Sequence, residues 1–96
     1  MEISKKLEEG VLTVTSVGRI DTLTAPEFEG AVIYDGVNEI IFDFAQVVYI
    51  SSAGLRVLLK VQKTMSSKGK VTIRNATAPV KEVFDITGFS NIFTFA

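Results

Sequence analysis

Two adjacent hydroxyls, Ser51 and Ser52, close the apolar run Val47-Val48-Tyr49-Ile50, and Ala53, Gly54 and the pattern Leu55-Arg56-Val57-Leu58-Leu59 follow them. The run reads as a buried strand turning into a helix at the serines. A serine there can accept a bond from a backbone N–H that the first helical turn leaves unpaired, which makes it an N-cap. Alternatively, the lip of a strand-to-helix turn is where a loop presents chemistry on a rigid scaffold. Either serine fits the cap, and Ser52 is the candidate for the exposed role.

The helix that follows carries a second pattern. Ser52, Arg56, Lys60 and Lys63 are spaced four, four and three, which places them on one face. Gly54, Val57, Leu58, Val61 and Met65 fall on the side that faces a core. The basic stripe reads either as an ordinary solvated helix face or as a docking surface headed by Ser52. Upstream, Asp21 stands in a loop just before a helix start. Such a carboxylate fixes a turn by bonding backbone amides or lines a site, and turn-fixing is the favoured role.

Enzyme readings lose most of their parts. The chain has no cysteine and no histidine, which removes thiol catalysis, disulfides, the usual zinc sites and any Ser-His-Asp arrangement. No phosphate loop and no Gly-x-Gly-x-x-Gly fingerprint is present. A nucleophile elbow needs glycine two positions before the serine, where Ile50 stands, and a histidine base. No metal site and no cofactor is expected. A net charge of −1 gives no field to hold nucleic acid or an anionic membrane, so proteins are the expected partners. The N-terminus lacks the apolar region of a signal peptide, and no apolar run approaches membrane-span length. A cytoplasmic protein is the expectation.

The elements that must position these residues follow from pattern. With 96 residues, 47% of them hydrophobic, the chain is expected to be one domain, residues 1–96, with its own core. Ile3 to Leu7 and Val11 to Val17 are strands, joined at Glu8-Glu9-Gly10 into an antiparallel hairpin. Gly18 to Leu23 reads as a loop. Thr24-Ala25-Pro26-Glu27 opens a helix with a capping box, Phe28, Ala31 and Val32 inward and Gly36 closing it. Ile40 to Phe44 reads as a central strand covered on both faces, with Asp43 bonding the turn at its end. Val47 to Ile50 is a second short strand or extended connection. The next helix runs from Ala53 to about Ser67, then come a strand Val71–Arg74, a helix Pro79–Thr87 closed by Gly88, and a last strand Ile92–Phe95. The alternation implies an α/β fold: a mixed β-sheet, largely parallel beyond the N-terminal antiparallel hairpin, with helices packed on it.

The stretch Asp43 to Leu55 resembles the signature of STAS domains, in particular the bacterial anti-sigma factor antagonists: Asp, an apolar residue, two variable residues, Val, a variable residue, an aromatic, an apolar residue, Asp or Ser, then the phosphorylated Ser, a small residue, Gly and Leu. Gly18-Arg19-Ile20-Asp21 with Thr24-Ala25 looks like the family's stretch before its first helix. Val80 to Phe89 looks like its last helix and turn. The resemblance covers nearly the whole chain and implies a single STAS domain with Ser52 as the phosphorylated residue. Ser51 stands where many phosphorylated relatives carry Asp, and the chain ends at Ala96 where many continue into a further helix. It further implies a binding protein, not an enzyme, whose unphosphorylated form docks on an anti-sigma factor and frees the sigma factor. In such relatives the anti-sigma factor is itself an ATP-dependent serine kinase, and a phosphatase resets the module. Asp21, Ser51, Ser52, Gly54, Arg56, Lys60 and Lys63 are then the expected partner-binding residues. The alternative is a non-switching STAS subunit of a lipid-transport or signalling complex, with Ser52 mainly a cap.

Overall fold

The β-branched residues near the N-terminus form the hairpin that their alternation predicts. In the computed structural model, which describes Met1–Ala96, strand β1 (Glu2–Glu8) pairs antiparallel with β2 (Val11–Ile20), Ile3 opposite Ser16 and Leu7 opposite Leu12. Glu9 and Gly10 both take positive φ, 50° and 81°, the left-handed pair that a tight two-residue hairpin turn requires. Helix α1 (Ala25–Gly30) leads to β3 (Glu39–Ile50), α2 (Ser52–Met65), β4 (Lys70–Arg74), α3 (Ala78–Thr87) and β5 (Thr94–Phe95). The five strands lie in sequence order, with every pair after the hairpin parallel. Parallel neighbours added in one direction by crossovers of one hand put all their helices on one side. The buried sheet residues agree: Leu12 pairs with Ile40 and Val14 with Phe42, Ile40 with Val71 and Phe42 with Ile73, and all of them are buried.

That one-sided cover corrects the expectation for the central strand. Ile40 and Phe42 point into the core, while Ile41 and Asp43, on the other face, are only half-buried. The expected break after Phe44 is also absent, because β3 is one strand of 12 residues. Two register shifts explain how it stays paired: Thr15 pairs with Asp43 but Val17 with Gln46, and Gly18 pairs with Val47 but Arg19 with Tyr49. At each shift β3 spends one residue more than β2, a β-bulge that bends the strand and re-aims its side chains. Phe44, Val47 and Ile50 therefore all reach the core, three residues apart. This partner also carries β2 through Ile20, so Gly18-Arg19-Ile20 is strand and not loop.

The first helix departs most from expectation. No capping box forms: Thr24 has helical backbone angles and its hydroxyl makes no cap bond. That hydroxyl instead accepts from the Asp21 N–H (2.9 Å) and donates to the Arg19 carbonyl (2.8 Å). The helix stops at Gly30, well before Gly36, whose positive φ of 74° serves the loop beyond. Phe28 packs against Phe42 and Phe44, with ring centroids 5.5 and 6.1 Å away. Val32 is buried and Ala31 half-buried just past the helix. At the other end of the chain Gly88 closes α3 with φ 79°, as expected. The last strand shrinks to Thr94 and Phe95, and Phe93 and Phe95 meet Phe84 edge-on.

Asp43 sits at the first bulge and holds it. Its Oδ1 accepts from the Ala45 N–H (3.1 Å) and Asn75 Nδ2 (3.3 Å), and its Oδ2 from Arg74 Nη2 (3.1 Å). Partial burial pushes the carboxyl up, but the bonds from Ala45, Arg74 and Asn75 and the Arg74 charge together outweigh it, so the pKa is lowered. A carboxyl lowered in the folded state contributes stability above its unfolded pKa and loses it as pH falls through the folded one. Removing it with Asp43→Ala should cost about 1.5–3 kcal/mol at neutral pH in urea unfolding, in line with hydrogen bonds to a charged group. The gap between the two proteins should narrow below about pH 4. A gap that stays constant down to about pH 2.5 would show that the carboxylate charge does not hold the bulge.

Candidate functional site

The parallel strands β2 and β3 end together, Ile20 opposite Ile50, and the loops that leave them there lie side by side. The Ser51 N–H donates to the Ile20 carbonyl at 2.8 Å, which ties the two together. Ser51 is the residue before α2, extended at φ −95° and ψ 176°, and its carbonyl accepts the Leu55 N–H at 3.0 Å. Its hydroxyl makes no cap bond: Oγ is enclosed without a hydrogen-bond partner. Ser52 is the first helical residue and is exposed. So neither serine is the side-chain cap that their position suggests. The structure divides them into one enclosed hydroxyl and one in solvent.

Gly54 explains why α2 begins so close to the sheet. It is buried, and a Cβ on it would lie 2.6 Å from Ile20 Cγ2 and 2.7 Å from Ile50 Cγ1. Its visible role is to seat the helix. Leu55, Val57, Leu58, Val61 and Met65 then bury the inward face that the spacing predicts.

Asp21 is engaged within its own loop. Its Oδ1 accepts from the N–H groups of Leu23 (3.0 Å) and Thr24 (3.2 Å), and Arg19 Nε lies 3.7 Å from Oδ2. The Thr24 N–H is the chief reason its carboxyl titrates below the usual range; burial opposes, and the Leu23 N–H, the Thr24 hydroxyl and the Arg19 charge assist. This is the turn-fixing geometry, and it presents Leu23 at 89% exposure just before α1.

Of the basic stripe, Arg56, Lys60 and Lys63 are all exposed. They are not equivalent. Lys60 Nζ donates to Glu29 Oε2 across the α1/α2 groove at 2.8 Å, and that bond, with the Glu29 charge, raises the Lys60 pKa. Arg56 stands on the ridge between two shallow grooves. One, of about 300 Å³, includes Thr22, Glu29 and Lys60; the other, of about 400 Å³, runs between α2 and the end of α3 and is lined by Ser52, Leu55, Leu59, Thr87 and Phe89. Sequence reasoning missed the second groove and also the exposed pair Val48 and Tyr49, whose ring carries the Arg19 guanidinium 4.5 Å above it. The bulges place Arg19 opposite Tyr49, and no local pattern signals them. No group of three or more Asp or Glu could hold a metal ion, and no helix is long and apolar enough to cross a membrane.

The serine turn, its bulged strand and the glycine-seated helix are matched as a unit by a family model, the STAS domain, over residues 2–96. The chain belongs to the STAS domain family. BtrV of Bordetella bronchiseptica, a candidate anti-sigma factor antagonist, is 32% identical over 100 residues, covering 100% of this chain and 86% of BtrV. An anti-sigma factor antagonist from Mycobacterium paratuberculosis shares the STAS fold with a TM-score of 0.87 at 24% identity, over 98% of this chain and 83% of that one. The anti-sigma factor antagonist SpoIIAA in its unphosphorylated form superposes with a TM-score of 0.83 at 18% identity, over 99% of this chain and 88% of its own. Its phosphorylated form, named as a Bacillus cell fate determinant, gives 0.75 at 16% identity, over 99% of this chain and 91% of its own.

Within this STAS domain the seat of α2 is open to a direct test. Gly54→Ala should lower the urea unfolding midpoint, since overpacking costs about 1–3 kcal/mol and exceeds the roughly 1 kcal/mol of helix propensity gained. Gly54→Val should cost more. Unchanged midpoints would mean that α2 lifts off Ile20 and Ile50 freely.

Proposed function

We propose that this STAS domain is an anti-sigma factor antagonist switched by phosphorylation of Ser52. The observation that carries the reading is the division of the serine pair: Ser52 is exposed at the start of α2, whereas the Ser51 hydroxyl is enclosed. The names of BtrV and SpoIIAA support the partner class. Unphosphorylated, the Ser52 lip and the Arg56 and Lys63 side of α2 meet an anti-sigma factor, which releases its sigma factor. That anti-sigma factor is also the kinase, transferring the γ-phosphoryl group of ATP to Ser52 Oγ with release of ADP, while the hydroxyl proton passes to a base of the kinase. A phosphatase resets the module by hydrolysis.

The switch needs no refolding. The N–H groups of Ser52, Ala53 and Gly54 have no partner within the protein, and a phosphate at the start of a helix is electrostatically favoured. It adds about −1.5 to −2 charges at neutral pH. A partner packed on the bare hydroxyl would have to desolvate that dianion, at a cost of several kcal/mol. A loss of about 4 kcal/mol weakens binding roughly a thousandfold.

The reading is checked by intact mass and site mapping after incubation with Mg-ATP and each anti-sigma serine kinase of the same genome. One phosphate on Ser52, absent from Ser52→Ala, is the expected result. No phosphate from any active kinase would instead favour a non-switching STAS subunit. In titration calorimetry Ser52→Ala should bind the cognate anti-sigma factor like the native chain and Ser52→Asp at least tenfold more weakly, about 1.4 kcal/mol. Equal affinities for the two variants would sink the switch.

A further inference from the structure

The cations of the α2 stripe are separated by what they touch. Lys60 is committed to Glu29 at 2.8 Å. Lys63 lies about three turns beyond Ser52, roughly 16 Å along a helix that rises about 1.5 Å per residue. Arg56 is one turn from Ser52, about 6 Å along the axis, within the span of an arginine side chain. It is exposed, shares a groove with Ser52, and pairs with no carboxylate. Of the acidic side chains on the neighbouring elements, Asp21 is occupied by Leu23, Thr24 and Arg19 and Glu29 by Lys60, while Glu27 of α1 and Glu82 and Asp85 of α3 are exposed and form no ion pair.

Building on the assignment of Ser52 as the phosphorylated residue, we propose that Arg56 is the phosphate's own partner: its guanidinium folds back one turn onto phospho-Ser52 and is thereby withdrawn from the docking surface. A planar guanidinium can donate two parallel N–H bonds to phosphate oxygens, a geometry that a lysine ammonium cannot match. No covalent bond changes in this step. Modification then acts twice on the face of α2, adding an anion and cancelling the one cation within its reach. Arg56 is a positioning residue here, acting through the phosphate.

The test installs phosphoserine site-specifically at position 52 of the full chain, so no kinase is needed, and follows its second ionisation by 31P NMR. A cation paired with the dianion lowers that pKa, which lies near 6 in free phosphoserine. In the otherwise native chain it should fall by about half a unit, the scale of an exposed ion pair. Arg56→Gln should return it towards the free value, Arg56→Lys should keep part of the shift, and Lys63→Gln should leave it in place. Urea midpoints check that the variants are folded. A native-like titration in Arg56→Gln, or an equal rise in Lys63→Gln, would overturn the pairing. If no kinase modifies Ser52 the switch reading fails while this titration can still succeed, so the two failures are distinct.

Discussion

Everything at the candidate site depends on how closely α2 approaches the ends of β2 and β3. With only a hydrogen at Gly54 between the helix and the side chains of Ile20 and Ile50, the first turn of α2 is pressed onto the sheet edge. The Ser51 N–H bond to Ile20 pins the same junction from the backbone side. This packing faces Ser51 inward and leaves Ser52 on the rim. Exposure of the one hydroxyl and enclosure of the other are two outcomes of a single steric fit.

Polar interactions then decide which side chains remain available around that rim. Asp21 spends its carboxylate on its own loop, and Lys60 and Glu29 neutralise each other across the α1/α2 groove. Arg56 is left as the cation nearest Ser52 with no internal claim on it. Because these charges are solvent-exposed, each pair is worth little to stability. Their effect is on what a partner meets: a hydroxyl, one guanidinium free of any ion pair, and apolar surface from Leu59 and Phe89.

Much of this was legible in the sequence, and the reasons are local. The hairpin turn at Glu9-Gly10, the left-handed stop at Gly88 and the apolar spacing of α2 each express a preference that neighbouring residues satisfy by themselves. The serine turn and the STAS signature were readable for the same reason. What was not legible depends on distant partners. Thr24 and Glu27 look like a capping box, but the carbonyl of Arg19 and the N–H of Asp21 compete for the Thr24 hydroxyl and win. The apolar run Ile40 to Phe44 looks covered on both faces, because nothing in it says that all three helices lie on one side. The stripe of four looked uniform until Glu29, thirty-one residues away in sequence from Lys60, divided it.

The two bulges of β3 make chain length itself a determinant of the site. From Asp43 to Ile50 the strand takes seven steps, while its neighbour takes five from Thr15 to Ile20. Each extra residue belongs to an outward pair, Ala45 with Gln46 and Val48 with Tyr49, set against one residue of β2, so losing one member of a pair removes that bulge and leaves Val47 and Ile50 facing the core. Losing a residue where the pairing is regular, as between Ile40 and Asp43, would instead reverse the facing of all that follows. The length of this strand can therefore change during evolution at its bulged pairs, while the rest of it resists the same change.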